Sequence, residues 1–143
     1  VQKEHRRRIA DLERFAKQVN VPSGSRMTKE AYLAMCEQLD MTPDPAQIPM
    51  DIHGLDDLCQ EAVAIFNILN DTFVPGTYPM YNGKDLSGLS LAFELFDITD
   101  REAKLQMLEF IRVLDSEAKK SAIAEYKKAT KVGNKPTVTN KRA

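Results

Sequence analysis

Between residues 55 and 69, one segment has a single good way to hide its apolar side chains. Leu55, Leu58, Cys59, Ala62, Ile65, Phe66 and Leu69 recur there at steps of three and four, the spacing of one helix face. Asp56, Asp57, Gln60 and Glu61 open the segment on its polar side, and carboxylates in a first turn suit the positive end of the helix dipole. A helix this apolar needs cover, and the rest of the chain is expected to supply it. With 143 residues, 43% of them hydrophobic and 29% charged, the chain is long enough for one domain with a real core, and wholesale disorder is not expected.

Other segments read as the covering helices. Residues 1–20 place Ile9, Leu12, Phe15, Ala16 and Val19 on one side of an amphipathic helix and charges on the other. Pro22, Ser23, Gly24 and Ser25 form a flexible connector after it, so this first helix is able to dock on its own body, pair with a copy of itself or bind another chain. Thr28 is a good N-cap for a helix reaching about residue 40, with Tyr32, Met35, Cys36 and Leu39 on its apolar face. Pro43, Pro45 and Pro49 rule out a helix interior in residues 41–50, which should run extended with Ile48 and Met50 as anchors. Asp85 or Ser87 caps a further helix through Leu86, Leu89, Phe93 and Phe96. Thr99 and Glu102 have capping-box spacing before a long helix that buries Leu105, Leu108, Ile111, Leu114 and Ala118, with Met107 and Phe110 widening the stripe. Residues 131–143 read as a disordered basic tail.

Residues 70–85 differ in kind. Pro75, Gly76, Pro79, Asn82 and Gly83 fill them with turn formers, and Asn82-Gly83 is a strong turn signal. Phe73, Val74, Tyr78, Met80 and Tyr81 lie among those turns. Such a loop is expected to be ordered against the core, with room for a short β-hairpin. It either closes one end of the core or binds a partner through Tyr78, Tyr81, Gly83, Lys84 and Asp85.

Charge is strongly partitioned beneath a net value of −1. Residues 1–26 carry seven Lys/Arg against three Asp/Glu, residues 27–118 five against seventeen, and residues 119–143 eight against one. An acidic body with basic ends can hold a basic partner in its middle or touch nucleic acid through Arg6, Arg7, Arg8, Lys127, Lys128 and Lys131. Solvated helix faces account for the same charges without any ligand.

Chemical motifs are sparse. Gly83-Lys84 lacks the earlier glycine and the following Ser/Thr of a phosphate loop: position 78 is Tyr78 and Asp85 follows the lysine. Asp51, His53, Asp56 and Asp57 contain one histidine among helix-capping acids, and no metal is expected there. Asp97, Asp100 and Glu102 lack the glycine and alternating ligands of a calcium loop. Cys36 and Cys59 lie on apolar helix faces and read as reduced core thiols. No serine elbow or cysteine–histidine pair appears, so neither a catalytic set nor a cofactor is expected, and no apolar run reaches the roughly 20 residues that span a bilayer.

Several of these stretches, taken in order, carry a resemblance. They are the residues Met27-Thr28-Lys29-Glu30-Ala31-Tyr32-Leu33-Ala34-Met35-Cys36-Glu37-Gln38-Leu39, then Pro43-Asp44-Pro45, Ile48-Pro49, Ile65-Phe66-Asn67, Tyr81-Asn82-Gly83-Lys84-Asp85-Leu86-Ser87 and residues 115–121. Over residues 27–128 the chain resembles a group of small proteins of tailed bacteriophages, in which the chain usually begins at the equivalent of Met27. The first 26 residues depart from that pattern, as an extension or a processed arm. The resemblance implies a phage context, in the host cytoplasm or the virion, and a role in tail or baseplate assembly or as a minor virion part.

The expected fold is all-α: a small bundle of four to five helices with one long ordered loop and basic flexible termini. It divides into a basic helical arm and linker at 1–26, a helical core at 27–128 and a basic tail at 129–143. The expected function is that of a non-enzymatic adaptor or assembly factor whose partner is another phage-encoded protein, with homo-oligomerisation open. The alternative is a nucleic-acid-associated accessory protein.

Overall fold

The computed structural model describes residues 2–20, 27–45 and 47–133. Its spine is the last helix, α5 (Arg101–Gly133), 33 residues long, or roughly 50 Å at the usual helical rise. Met107, Phe110, Ile111 and Leu114 of α5 are buried at 4% exposure or less. Leu105, expected in that stripe, is 56% exposed. Two residues before Met107 it points about 200° away around the helix, so a stripe centred on Met107, Ile111 and Leu114 leaves it outside.

Two helices pack on this spine. The first, α1 (Gln2–Val19), lies beside α5 and contributes Leu12, Phe15 and Ala16 to the core, with Leu12 completely buried. The two run parallel. His5 at the start of α1 bonds Glu109 and stacks on Phe110, while the Ser121 hydroxyl donates to the Asn20 carbonyl at the far end. The central segment forms α3 (Asp57–Ile68), which buries Cys59, Ala62, Val63 and Ile65. Asp56 is its N-cap and accepts a 3.0 Å bond from the Cys59 amide. Leu55 and Leu69 flank α3 and are also buried in the shared core.

The helix α2 (Lys29–Gln38) is capped by Thr28, which accepts from Ala31 N at 3.1 Å. Tyr32 and Cys36 are buried, whereas Leu39 is 60% exposed. The proline-containing stretch after α2 is latched to α1 by polar side chains. Arg14 donates to the carbonyls of Pro45 and Ile48, and Gln18 accepts from the Met50 amide. Part of the charge on α1 thus satisfies backbone groups that prolines leave without regular partners.

The fold is helix-dominated but not purely α. Strands β1 (Asp71–Val74) and β2 (Met80–Lys84) form a two-stranded antiparallel sheet. The turn occupies residues 75–79, so Asn82-Gly83 is not the hairpin turn that its sequence signals. Thr72 pairs with Gly83 and Phe73 with Tyr81, which leaves Asn82 as the extra residue of a bulge beside a Gly83 φ of 107°. Asn-Gly supplies the unusual backbone in either setting, and the pairing register decides which.

Beyond the hairpin, Asp85 caps a short 3-10 turn at Leu86–Gly88 by accepting from Ser87 N at 3.0 Å. Next comes α4 (Leu89–Leu95), with Leu89, Ala92 and Phe93 buried. At the start of α5 the cap is Asp100, whose carboxylate accepts from Ala103 N at 3.2 Å. This replaces the expected Thr99–Glu102 box, because the helix starts one residue later than that box requires. The helix α5 continues to Gly133, past the expected start of the tail at residue 131. Residues 134–143 and the connector at 21–26 lie outside the described residues.

Candidate functional site

The hairpin is fixed to the body at its base. The Tyr81 phenol donates to Asp115 Oδ1 at 2.6 Å, and the Lys84 amide donates to the same oxygen at 3.2 Å. Lys119 Nζ lies 3.5 Å from the other carboxylate oxygen. Burial, and then the bond to Asp115, push the Tyr81 phenol above the usual tyrosine range. Gly83 is buried between these groups, where a Cβ would stand 2.6 Å from Lys119 Cε and 3.0 Å from Asp115 Oδ2.

Lys84 completes the base from the other side. Its side chain is only 9% exposed, with Nζ 2.6 Å from Asp71 Oδ1. The same amine donates to the Leu69 carbonyl at 3.1 Å and sits 4.6 Å from the centroid of the Phe66 ring. A carboxylate, a carbonyl and an aromatic face thus surround a largely buried ammonium and offset its desolvation.

The outer half of the hairpin is different. Phe73, Val74 and Tyr78 are 57%, 41% and 50% exposed. Between the turn and the distal part of α5 lies an open cleft of about 520 Å³, lined by Val74, Pro75, Tyr78, Met80, Tyr126 and Thr130 among others. Phe73 meets Tyr81 edge-on at 6.2 Å, which orients the exposed ring from the anchored one. The base is rigid and polar, and the tip is apolar and open.

This geometry splits the expected loop site. Tyr78 is exposed at the cleft, whereas Tyr81, Gly83 and Lys84 are occupied inside the protein. Asp85 is exposed, but its carboxylate caps the Ser87 amide, a bond that holds it below the usual carboxylate range. Phe73 and Val74 belong to the exposed tip, and Asp115 is its anchor. Apolar residues among turns signalled the first two, but nothing local marks Asp115 as the acceptor for a strand 34 residues away.

The basic residues are not gathered into one surface. Arg6 and Arg7 are exposed on α1, while Arg8 turns inward and its Nε donates to Asp56 at 2.6 Å. Lys127 and Lys128 are exposed on distal α5, and Lys131 lies in that helix with its side chain outside the described residues. Because α1 and α5 run parallel, Lys127 lies some 18 residues beyond Glu109, the partner of His5, a separation of roughly 27 Å along the axis.

Two carboxylates of the 51–57 segment serve structure. Asp51 accepts from His53 N, while Asp56 caps α3 and binds Arg8. Burial works to raise the Asp56 carboxyl, but the Arg8 and Cys59 hydrogen bonds outweigh it and hold the group below its ordinary value. Burial drives the Cys59 thiol up to about 12, which makes it a poor nucleophile. Among the described residues there is no cluster of three or more His, Cys, Asp or Glu able to hold a metal, and no helix long and apolar enough to cross a membrane.

No family model, curated protein or solved structure matches the chain.

Proposed function

We propose that this protein is a non-enzymatic adaptor that holds another protein through the tip of its hairpin. The observation that carries this reading is the contrast within one hairpin. Phe73, Val74 and Tyr78 are about half exposed beside a cleft, on strands whose base is tied down by Tyr81–Asp115 and Lys84–Asp71. Holding exposed aromatic side chains on a rigid support lowers the ordering cost of association, and Tyr and Phe are favoured at interface cores. The cleft suits an apolar segment of a partner that lies against Tyr78 and Tyr126. The resemblance of residues 27–128 to small proteins of tailed bacteriophages supports a phage-encoded partner, with tail or baseplate assembly as the setting.

The test is capture from phage-infected cells with two baits, the parent chain and a Phe73→Ser/Tyr78→Ser variant, each with and without nuclease. A virion or tail protein retained by the parent after nuclease and lost by the variant is the expected result. Recovery of nuclease-sensitive material alone, reduced by Arg6→Ala/Arg7→Ala or Lys127→Ala/Lys128→Ala, would transfer the function to the basic ends and to nucleic acid.

A further inference from the structure

A second apolar surface, separate from the hairpin tip, has a counterpart on the same chain. Ile68 at the end of α3, and Leu91 and Leu95 on α4, are 54%, 60% and 68% exposed. They line one groove of about 370 Å³. Single exposed leucines are ordinary, but three large aliphatic side chains converging on a groove mark an interaction surface.

The segments that form this groove are mainly acidic. Its single charged lining residue is Asp85. Glu94 and Asp97, beside Leu95 in sequence, are exposed. Residues 68–100 contain five carboxylates and one lysine, and that lysine, Lys84, is already paired with Asp71. A partner seated here must bring an apolar side chain flanked by cations.

Distal α5 presents that pattern. Ile123 is 44% exposed. Lys120 and Lys127, three residues before it and four after, lie on the same side of the helix and are both exposed. The Lys120 side chain is 69% exposed even with its amine 3.3 Å from Glu117. None of the residues lining the groove belongs to α5, and α5 is one continuous helix through this region, so within one copy the stripe does not fill the groove.

We propose that the groove of one copy receives distal α5 of a second copy, with Ile123 against Ile68, Leu91 and Leu95, and with Lys120 and Lys127 facing Asp85 and Glu94. The contact joins two different surfaces, so it is head-to-tail and propagates into a ring or a filament. It gives the partition of an acidic body and a basic carboxyl-terminal region a shared role. It does not rest on the hairpin reading.

Sedimentation of the chain over a range of concentrations tests it. Association that grows with concentration and weakens as salt is raised from about 0.05 M to about 0.5 M is expected. Leu95→Lys in the groove and Ile123→Ser/Lys127→Glu on the stripe should each weaken association by about tenfold or more. Both change exposed positions, and circular dichroism verifies that the fold is kept. Mixed together, the two variants should form a one-to-one pair that does not grow, because one supplies an intact stripe and the other an intact groove. Leu39→Lys, at the exposed leucine that ends α2 as its C-cap, should leave association unchanged. A parent chain that stays monomeric at low salt and high concentration would overturn the proposal. So would association that Leu39→Lys weakens as much as Leu95→Lys does, or a mixture of the two variants that stays monomeric.

Discussion

Tyr81 and Asp115, 34 residues apart in sequence, meet at 2.6 Å and join the hairpin to the longest helix. Tyr81→Phe keeps the ring and removes the donor, while Asp115 retains the Lys84 amide and Lys119. A loss of about 1–2 kcal/mol in chemical denaturation is expected. Asp115→Ala should cost more, because it also strands the Lys84 amide. A double-mutant cycle over the two positions should then return a favourable coupling.

Alkaline pH probes the same bond. The folded Tyr81 phenol titrates above its unfolded value of about 10, first because it is buried and then because it donates to Asp115. Its contribution is therefore complete below about pH 10 and declines as pH rises from the unfolded towards the folded value. Ultraviolet titration of the native protein should show one of the four tyrosines ionising last, and Tyr81→Phe should remove that step.

Gly83 combines a φ of 107° with neighbours that leave no room for a Cβ. Lys119 is a flexible contact and can move, but Asp115 is the hairpin's anchor. Gly83→Ala is expected to destabilise the protein by about 1–3 kcal/mol through backbone strain and displacement of that anchor. Thermal unfolding of the variant beside the parent measures it. Asn82→Ala, at an exposed position in the same bulge, serves as the comparison and should cost less.

The Arg8–Asp56 pair predicts acid sensitivity. The folded Asp56 carboxyl lies below its unfolded value, so its contribution is present above about pH 4 and lost as pH falls through the folded value. Stability of the parent measured down the acid limb should fall more steeply than that of Asp56→Asn. The substitution keeps a capping side chain for the Cys59 amide but gives up the charge.

Leu12 has no solvent exposure and sits in the core shared with α3 and α5. Leu12→Ala should cost about 2–5 kcal/mol. The same core covers Cys59, and Cys36 on α2 is equally buried, each at 1% exposure. Both thiols should react with an aromatic disulfide reagent only as the protein unfolds, and Leu12→Ala should raise the rate for Cys59.

The helices were legible because their signals are local. Thr28 caps α2, the three-and-four spacing marks α3, and the prolines hold residues 41–45 and 47–50 out of a helix. Which face of a helix is buried depends on its neighbours. Leu105 fits a helical step as well as Met107 does, and only the position of α1 and α3 against α5 selects the stripe. The expected loop residues divide by exposure. Tyr78 is exposed, but Lys84, with equal standing in the sequence, is enclosed by Asp71, the Leu69 carbonyl and Phe66.

By itself, then, the sequence determined which segments become helices, that Thr28 caps α2, and that the chain has an acidic middle and basic ends, since these depend on neighbours within one or two turns. The tertiary structure decided that Asn82-Gly83 is a bulge and not a turn, that Arg8 and Lys84 point inward, and that Arg6 and Lys127 stand far apart. Each of these depends on partners distant in sequence. A cation's role is set by the carboxylate it meets, and that meeting exists only once the helices have packed.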